Sequence, residues 1–142
     1  MKPATAEKLL VWLLRIGGLM MLSAIVPMFM PVGWIDQAHR MMGLGPFPTE
    51  PVAEYLARLS SGLYAVLGGY QLVLSLDVTR YRPLIVFTAA AVAILTLAGN
   101  ILGALAGMPW WWVVGDIGTA LPYCGLLAYL AVRGRPEVSA AD

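Results

Sequence analysis

Residues 54–77 read EYLARLSSGLYAVLGGYQLVLSLD, an apolar run with an acidic residue at each end. A helix needs about 20 residues to cross a hydrocarbon core of about 30 Å, and this stretch is long enough. It is also more polar than a simple membrane anchor, because Arg58 and Tyr64 lie within it. The pattern predicts a transmembrane helix at residues 55–76 whose polar face is turned towards other helices.

Composition places the whole chain in the membrane class. Hydrophobic residues make up 60% of the 142 residues and charged residues only 12%, whereas about 25% of the residues in soluble domains are charged. The mean hydropathy is +0.78. At about 20 residues per span, the chain has room for four spans with short connections and for no second domain.

Proline and charged residues divide the chain into four apolar runs, and we predict one all-α domain, a four-transmembrane-helix bundle. The predicted spans are residues 9–30, 55–76, 84–106 and 110–132, joined by an outer loop at 31–54 and an inner loop at 77–83 and followed by a tail at 133–142. The first run is longer than the apolar region of about 7–15 residues in a signal peptide, and no cleavage site is evident, so we expect it to be retained.

The outer loop contains one further helical pattern. In WIDQAHRMMGL, residues 34–44, apolar side chains recur at helical spacing opposite Asp36, His39 and Arg40. This pattern predicts a short amphipathic helix that lies in the membrane interface. The following GLGPFP, residues 43–48, cannot continue a helix, so we expect the helix to end there.

The distribution of basic residues predicts the orientation of the spans. Seven of the nine basic residues fall on one side, namely Lys2, Lys8, Arg15, Arg80, Arg82, Arg133 and Arg135, and only Arg40 and Arg58 fall on the other. By the positive-inside rule both termini are cytoplasmic and the loop at 31–54 is outside. The tryptophans at 110–112 then lie at the outer interface, where indole rings settle at headgroup depth.

Ionisable and polar residues within the spans are the candidate functional residues, because such groups are costly in hydrocarbon and usually face protein or water. The candidate ligand-binding residues near the outer surface are Glu54, Arg58, Tyr64, Trp111 and Asp116. Two interpretations stay open. In one, Arg58 is held between Glu54 and Asp116 and meets an anionic group or a lipid headgroup. In the other, a structural ion pair keeps the Arg58 charge from being unpaired.

Residue counts argue against metal, redox and nucleic-acid chemistry. The single cysteine, Cys124, cannot form an intrachain disulfide, and the single histidine, His39, lies in the loop and not among the spans. The eight methionines could bind Cu(I), but methionine is also an ordinary filler of apolar surface. We expect no catalytic residues, no metal, no nucleic-acid partner and no cofactor other than a lipid or a quinone.

The order of these features carries a resemblance to known proteins. With YLARLSSGLYA at 55–65, LDVTRYRP at 76–83 and GMPWWW at 107–112, the chain from Leu9 to Arg133 resembles a group of small four-helix bacterial membrane proteins. In architecture these are loosely similar to DoxX-type membrane proteins. The resemblance implies a four-helix bundle in the bacterial cytoplasmic (inner) membrane with both termini inside, and it implies no activity. The polar and aromatic members of these motifs are Arg58, Tyr64, Arg80, Tyr81 and Trp111.

Three functions are open at this point. Short loops, small residues on every span and the lack of a catalytic constellation favour a non-catalytic accessory or structural subunit of a larger membrane complex. Its partners would be membrane lipids and either another protein or further copies of the chain. The alternative is a protein that binds an amphipathic lipid or quinone at the outer side of the bundle. The second alternative is a small membrane enzyme or transporter that uses Glu54, Arg58 and Asp116.

Overall fold

The computed structural model describes residues 3–134, and no strand occurs in that range. The helices of the described range are α1 (Pro3–Leu22), α2 (Ile25–Phe29), α3 (Val32–Met41), α4 (Pro51–Leu74), α5 (Arg82–Leu105) and α6 (Trp110–Arg133). The predicted all-helical class is therefore confirmed.

Within residues 3–134, three stretches are long and apolar enough to cross a membrane, which agrees with the predicted membrane class. They are Ala4–Phe29, Arg82–Leu105 and Trp110–Arg133. Helix α4 is not among these three, although it has 24 residues, as many as α5 and α6. Its polar side chains, among them Glu54, Arg58 and Gln71, lower its hydropathy. The predicted span at residues 55–76 therefore stays a prediction.

The first of these stretches is interrupted at Ser23 and Ala24, between α1 and α2. Pro27 has no N–H to donate to the Ser23 carbonyl one turn earlier, and that carbonyl accepts from the Val26 nitrogen at 3.1 Å instead. The Ser23 hydroxyl donates to the carbonyl of Met20 at 2.6 Å. The break is thus a consequence of the proline, and hydrogen bonds of shorter range replace the lost helical bond.

Helices α3 and α5 end in the same way. Gly43 after α3 has φ 72° and Gly107 after α5 has φ 88°, a conformation that glycine adopts without a steric penalty. In each case the N–H groups of the glycine and of the next residue bond to carbonyls of the last helical turn, at 2.9–3.1 Å. The loop helix thus ends where the glycines predict, while its position in a membrane interface stays a prediction.

The chain divides into two compact units, which we describe separately. The hairpin unit consists of the described residues of Met1–Leu14 and Leu74–Asp142, and the loop unit is Arg15–Val73. In the hairpin unit, Arg82 at the start of α5 bonds to Ala131 near the end of α6, so the two helices are antiparallel. The largest fully buried side chains of the described range, Leu10, Leu14, Leu74 and Ile85, all belong to this unit.

In the loop unit, the second half of α1 contacts α4 through glycine. A Cβ at Gly68 would clash with the backbone nitrogen of Leu22 and would lie 2.5 Å from the carbonyl oxygen of Gly18. One turn further along α4, the buried amide of Gln71 lies 3.2 Å from the Met21 sulfur. Close backbone contact of this kind is an important source of helix association in lipid, where the hydrophobic effect does not act between helices.

The close approach at Gly68 predicts different effects for two adjacent substitutions. Gly68→Ala should destabilise the fold by about 1–3 kcal/mol, because the added methyl meets backbone that cannot move aside cheaply. Gly69→Ala is the matched control, since nothing described lies within 4 Å of its Cβ position, and it should be neutral or stabilising by up to about 1 kcal/mol through helix propensity. Equilibrium unfolding in detergent measures both, and equal stabilities of the two variants would contradict the contact.

Candidate functional site

Arg58 lies on the first half of α4 and is bonded on two sides. Its Nε and Nη2 atoms each lie 2.9 Å from Glu54 Oε1, one helical turn earlier. Its Nη1 atom donates to the backbone carbonyl of Met28 at 2.7 Å. The side chain is 29% exposed, so the guanidinium is largely enclosed by these partners.

The Met28 carbonyl needs such a donor because α2 ends at Phe29. The last carbonyls of a helix lack donors within the helix, and they carry partial negative charge that a cation stabilises. The thioether of Met28 lies in contact with α4 as well, because a Cβ at Gly62 would be 3.1 Å from its sulfur. Helix α4 therefore contacts the end of α2 at two positions one turn apart. Arg58 binds the Met28 backbone, and Gly62 packs against the Met28 side chain.

Asp116 lies in the hairpin unit, where its described partner is Asn100 of α5. The Asn100 amide nitrogen donates to Asp116 Oδ2 at 2.5 Å and to the carbonyl oxygen of Thr96 at 2.9 Å. Asn100 is buried, whereas Asp116 is exposed. A buried amide thus fixes a carboxylate near the α5–α6 turn and leaves part of that carboxylate accessible.

The remaining two predicted site residues are exposed aromatics. Tyr64 is 55% exposed on α4 and Trp111 is 40% exposed on α6. Trp111 packs edge to face on Trp112, with ring centroids 5.9 Å apart. The structure therefore brings Glu54 and Arg58 together in the loop unit, and it places Trp111 and Asp116 in the hairpin unit.

A cluster that the sequence reasoning did not identify folds α3 onto the residues that follow it. Asp36 accepts hydrogen bonds from the Phe47 backbone nitrogen at 2.8 Å and from Arg40 Nε at 2.9 Å. His39 Nδ1 lies 2.9 Å from the Gly45 carbonyl oxygen, to which it donates, and its ring packs edge to face on Phe47 at 5.6 Å. The side chains that were assigned to the polar face of an amphipathic helix thus also hold the loop.

Arg82 was missed as well, because the sequence reasoning used it only to orient the chain. The side chain is buried, and it donates to the Ala131 carbonyl at 2.5 Å and to the Gly134 carbonyl at 2.9 Å. Nothing in the local sequence distinguishes it from Arg80, which is exposed two residues earlier. Only the return of α6 to the start of α5 gives Arg82 its partners.

The described residues contain no group of three or more histidine, cysteine or acidic side chains that could hold a metal ion. No protein-family model matches the chain, and neither a curated protein nor a solved structure is significantly similar to it. The resemblance to small DoxX-like membrane proteins therefore stays a prediction, and the function has to be argued from the geometry.

Replacing Arg58 separates the two interpretations of this residue. If Arg58 holds the end of α2, Arg58→Gln should lower the free energy of unfolding by about 2 kcal/mol, because it removes charge-assisted bonds to Glu54 and to the Met28 carbonyl. Unfolding in detergent, followed by circular dichroism, measures the change.

Arg40→Gln is the control, since Arg40 forms an ion pair of the same spacing with Asp36 but is more exposed, and exposed pairs contribute little. An Arg58→Gln variant as stable as Arg40→Gln, yet lacking a small molecule that co-purifies with the unchanged protein, would favour the ligand-binding interpretation.

The contacts of Asp36 predict an acid-sensitive loop. The Arg40 guanidinium and then the Phe47 N–H hold the pKa of Asp36 below its ordinary value of 3.8. A carboxylate whose pKa is lower in the folded state contributes stability above its unfolded pKa, and this contribution is lost as the pH falls through the folded pKa. The Phe47 amide resonance should therefore titrate with a midpoint below pH 3.8, as NMR can measure. Asp36→Asn should abolish that titration, and an unchanged titration in the variant would refute the assignment.

Proposed function

We propose that this protein is a non-catalytic integral membrane subunit that packs against another protein within the bacterial cytoplasmic membrane. In this proposal the chain crosses the membrane four times with both termini in the cytoplasm. The proposal draws on the free surface of α6 and on the structural use of the enclosed cations.

In this proposal α4 crosses the membrane in addition to the three long apolar stretches. It has 24 residues, and its charged side chains, Glu54 and Arg58, fall within its first eight positions. Charges at the end of a span lie near the headgroups, where they are tolerated. The remaining residues of α4 carry no charged Asp, Glu, Lys or Arg side chain, which is compatible with burial in lipid or against other helices.

The loop helix α3 suits a position in the membrane interface. Trp34 and Met41 on this helix are 64% and 81% exposed, while Asp36 and His39 are engaged with the following loop. Exposed apolar side chains on a short helix that also carries charge are typical of helices that lie along a bilayer surface. In that position Trp34 would settle among the headgroups.

The observation that carries the proposal is an exposed stripe along α6, which we call the α6 stripe. Its members follow one another at intervals of three or four residues, and they are Trp111, Gly115, Gly118, Pro122, Gly125 and Tyr129. At each of its three glycines, no described atom outside the adjacent stretch of α6 lies within 4 Å of where a Cβ would be. A helix that approached this stripe could reach the α6 backbone, which is the contact that stabilises helix pairs in lipid.

The exposed carboxylate of Asp116 lies next to the α6 stripe in the sequence, and Asn100 fixes its orientation. An ionisable group inside a span normally faces protein or water. A partner helix on the α6 stripe would shield this carboxylate from lipid and could donate a hydrogen bond to it. This supports a protein neighbour more than it supports a monomer surrounded by lipid.

The hydrogen bonds that Glu54, Arg58 and Asp116 already form argue against the two alternatives. A lipid- or quinone-binding site at Arg58 would have to compete with the Glu54 carboxylate and the Met28 carbonyl, which already accept its hydrogen bonds. An enzyme or transporter that used Glu54, Arg58 and Asp116 would have to release two of these groups from structural bonds. Both alternatives remain outcomes of the experiment that follows.

Native mass spectrometry of the protein extracted from its host membrane in mild detergent tests the proposal. We expect a heteromeric mass for the unchanged protein and its loss in Gly118→Leu, because the added side chain fills the α6 stripe. Ala90→Leu adds the same bulk at an exposed position of α5 and should keep the complex. A lone protomer, or a homo-oligomer with a reproducible small adduct, would contradict the subunit and favour a binding protein.

A further inference from the structure

We propose that one end of the hairpin unit is a binding surface for anionic phospholipid headgroups. We call this end the basic end and define it by Lys8, Arg80, Arg82 and Arg133. None of these four cations belongs to the α6 stripe proposed for a protein partner, although Tyr129 at the end of that stripe lies beside Arg133. The proposal depends on which side chains the helix ends bring together, on which of these are occupied, and on the depth of the aromatic rings beside them.

Three described hydrogen bonds bring the members of the basic end together. Arg82 bonds to the carbonyls of Ala131 in α6 and of Gly134 just after it, and Arg133 lies between these two residues. Arg80 precedes Arg82 by two residues and so lies at the same end. The Thr79 hydroxyl donates to Glu7 Oε1 at 2.9 Å, which brings the first turns of α1, and with them Lys8, to this end.

The basic end has positive charge in excess. Among residues 3–134, four cations share this end with two carboxylates, Glu7 and Asp77, which accept from neutral donors, namely the Thr79 hydroxyl and the Arg80 backbone nitrogen. The ion pairs Asp36–Arg40 and Glu54–Arg58 both lie in the loop unit, and neither includes Lys8, Arg80 or Arg133. The carboxylates of the basic end therefore leave its exposed cations available to an external anion.

Three of the four cations are exposed, and the fourth is buried and bonded to backbone carbonyls. Arg82 is buried against the end of α6, whereas Lys8, Arg80 and Arg133 are exposed. The guanidinium of Arg80 lies 5.7 Å from the centroid of the Tyr81 ring, and that of Arg133 lies 5.6 Å from the Tyr129 ring. A guanidinium against an aromatic face keeps its N–H donors at the edge free to bind phosphate oxygens.

The neighbouring aromatic rings point to a lipid and not to a soluble phosphate. On α1, Trp12 lies one turn inward from Lys8, and on α6, Tyr129 lies one turn inward from Arg133. Four residues of helix are about 6 Å, so each ring lies that much closer to the middle of its span. Trp12 is 62% and Tyr129 is 49% exposed, and exposed rings just inside exposed cations are typical of the membrane–water boundary.

A shallow, open depression on the face of α1 beside Lys8 continues inward as apolar surface. It has a volume of about 320 Å³ and is lined by Ala4, Glu7, Lys8, Val11 and Trp12. A phosphate bound to Lys8 would therefore have apolar surface directly inward of it, where the glycerol and the start of an acyl chain lie. A free phosphate ion would make no use of that surface.

The test measures lipid selectivity in mixed micelles. The purified full-length chain in a neutral detergent is titrated with phosphatidylglycerol and, separately, with phosphatidylcholine, and bound lipids are counted by native mass spectrometry. We expect phosphatidylglycerol to be preferred and the preference to fall as salt is raised. Each basic residue near an anionic surface contributes about 1 kcal/mol, or about fivefold in affinity. The triple variant Lys8→Gln, Arg80→Gln, Arg133→Gln should therefore lose on the order of 100-fold in that preference.

The matched control is Arg40→Gln, which removes one exposed cation from the loop unit and should keep the preference. Equal binding of both lipids by the unchanged protein, or a triple variant that keeps its selectivity, would overturn the proposal. If the triple variant unfolds, the three single variants replace it, each with about a fivefold loss expected, and single variants without any loss would overturn the proposal equally. Inorganic phosphate added to the titration should compete poorly, and full displacement by it would point to a soluble anion instead.

Discussion

The carbonyl oxygens in the last turn of a helix have no donor within that helix, so their hydrogen-bond donors have to come from elsewhere. In each unit of this protein an arginine from another helix meets this need. Arg58 of α4 donates to Met28 at the end of α2, and Arg82 of α5 donates to Ala131 and Gly134 at the end of α6. A guanidinium can do so because its five donors reach two acceptors at once, and its charge opposes the negative end of the helix dipole.

The glycines of this chain show that one residue type has two uses, and that the surroundings decide between them. Gly18 and Gly68 allow the backbones of α1 and α4 to touch, and a methyl group at Gly68 would collide with α1. The glycines of α6 lie at the same helical spacing, yet they face open space in the described part of the chain. The first pair explains how the loop unit holds together. The glycines of α6 form a surface on which another helix could pack closely, so they bear on partners and not on folding.

Much of the helical framework follows from local sequence, because apolar run length, proline and glycine act within a few residues of where they occur. The end of α3 at Gly43 and the pairing of Glu54 with Arg58 one turn apart are of this kind. The partners of Arg58 and Asp116 are different, since the Met28 carbonyl is thirty residues away and Asn100 is sixteen residues away. Such contacts depend on how the helices return past one another, and no short pattern encodes that register.

The charged side chains divide in a similar way, into those bonded to distant parts of the chain and those that lie exposed. Arg58 and Arg82 are the cations that the structure encloses, and their donors are directed at carbonyls and at Glu54. A group committed in this way can take part in a reaction only if the helix end that it holds is released, and that would cost the bonds that keep the unit together. Asp116 beside the α6 stripe and the exposed cations of the basic end are, by contrast, accessible at the surface. In the two proposals made above, it is this accessible charge that meets a neighbour, a partner helix at Asp116 and a lipid headgroup at the basic end, while the committed charge holds helix ends in place.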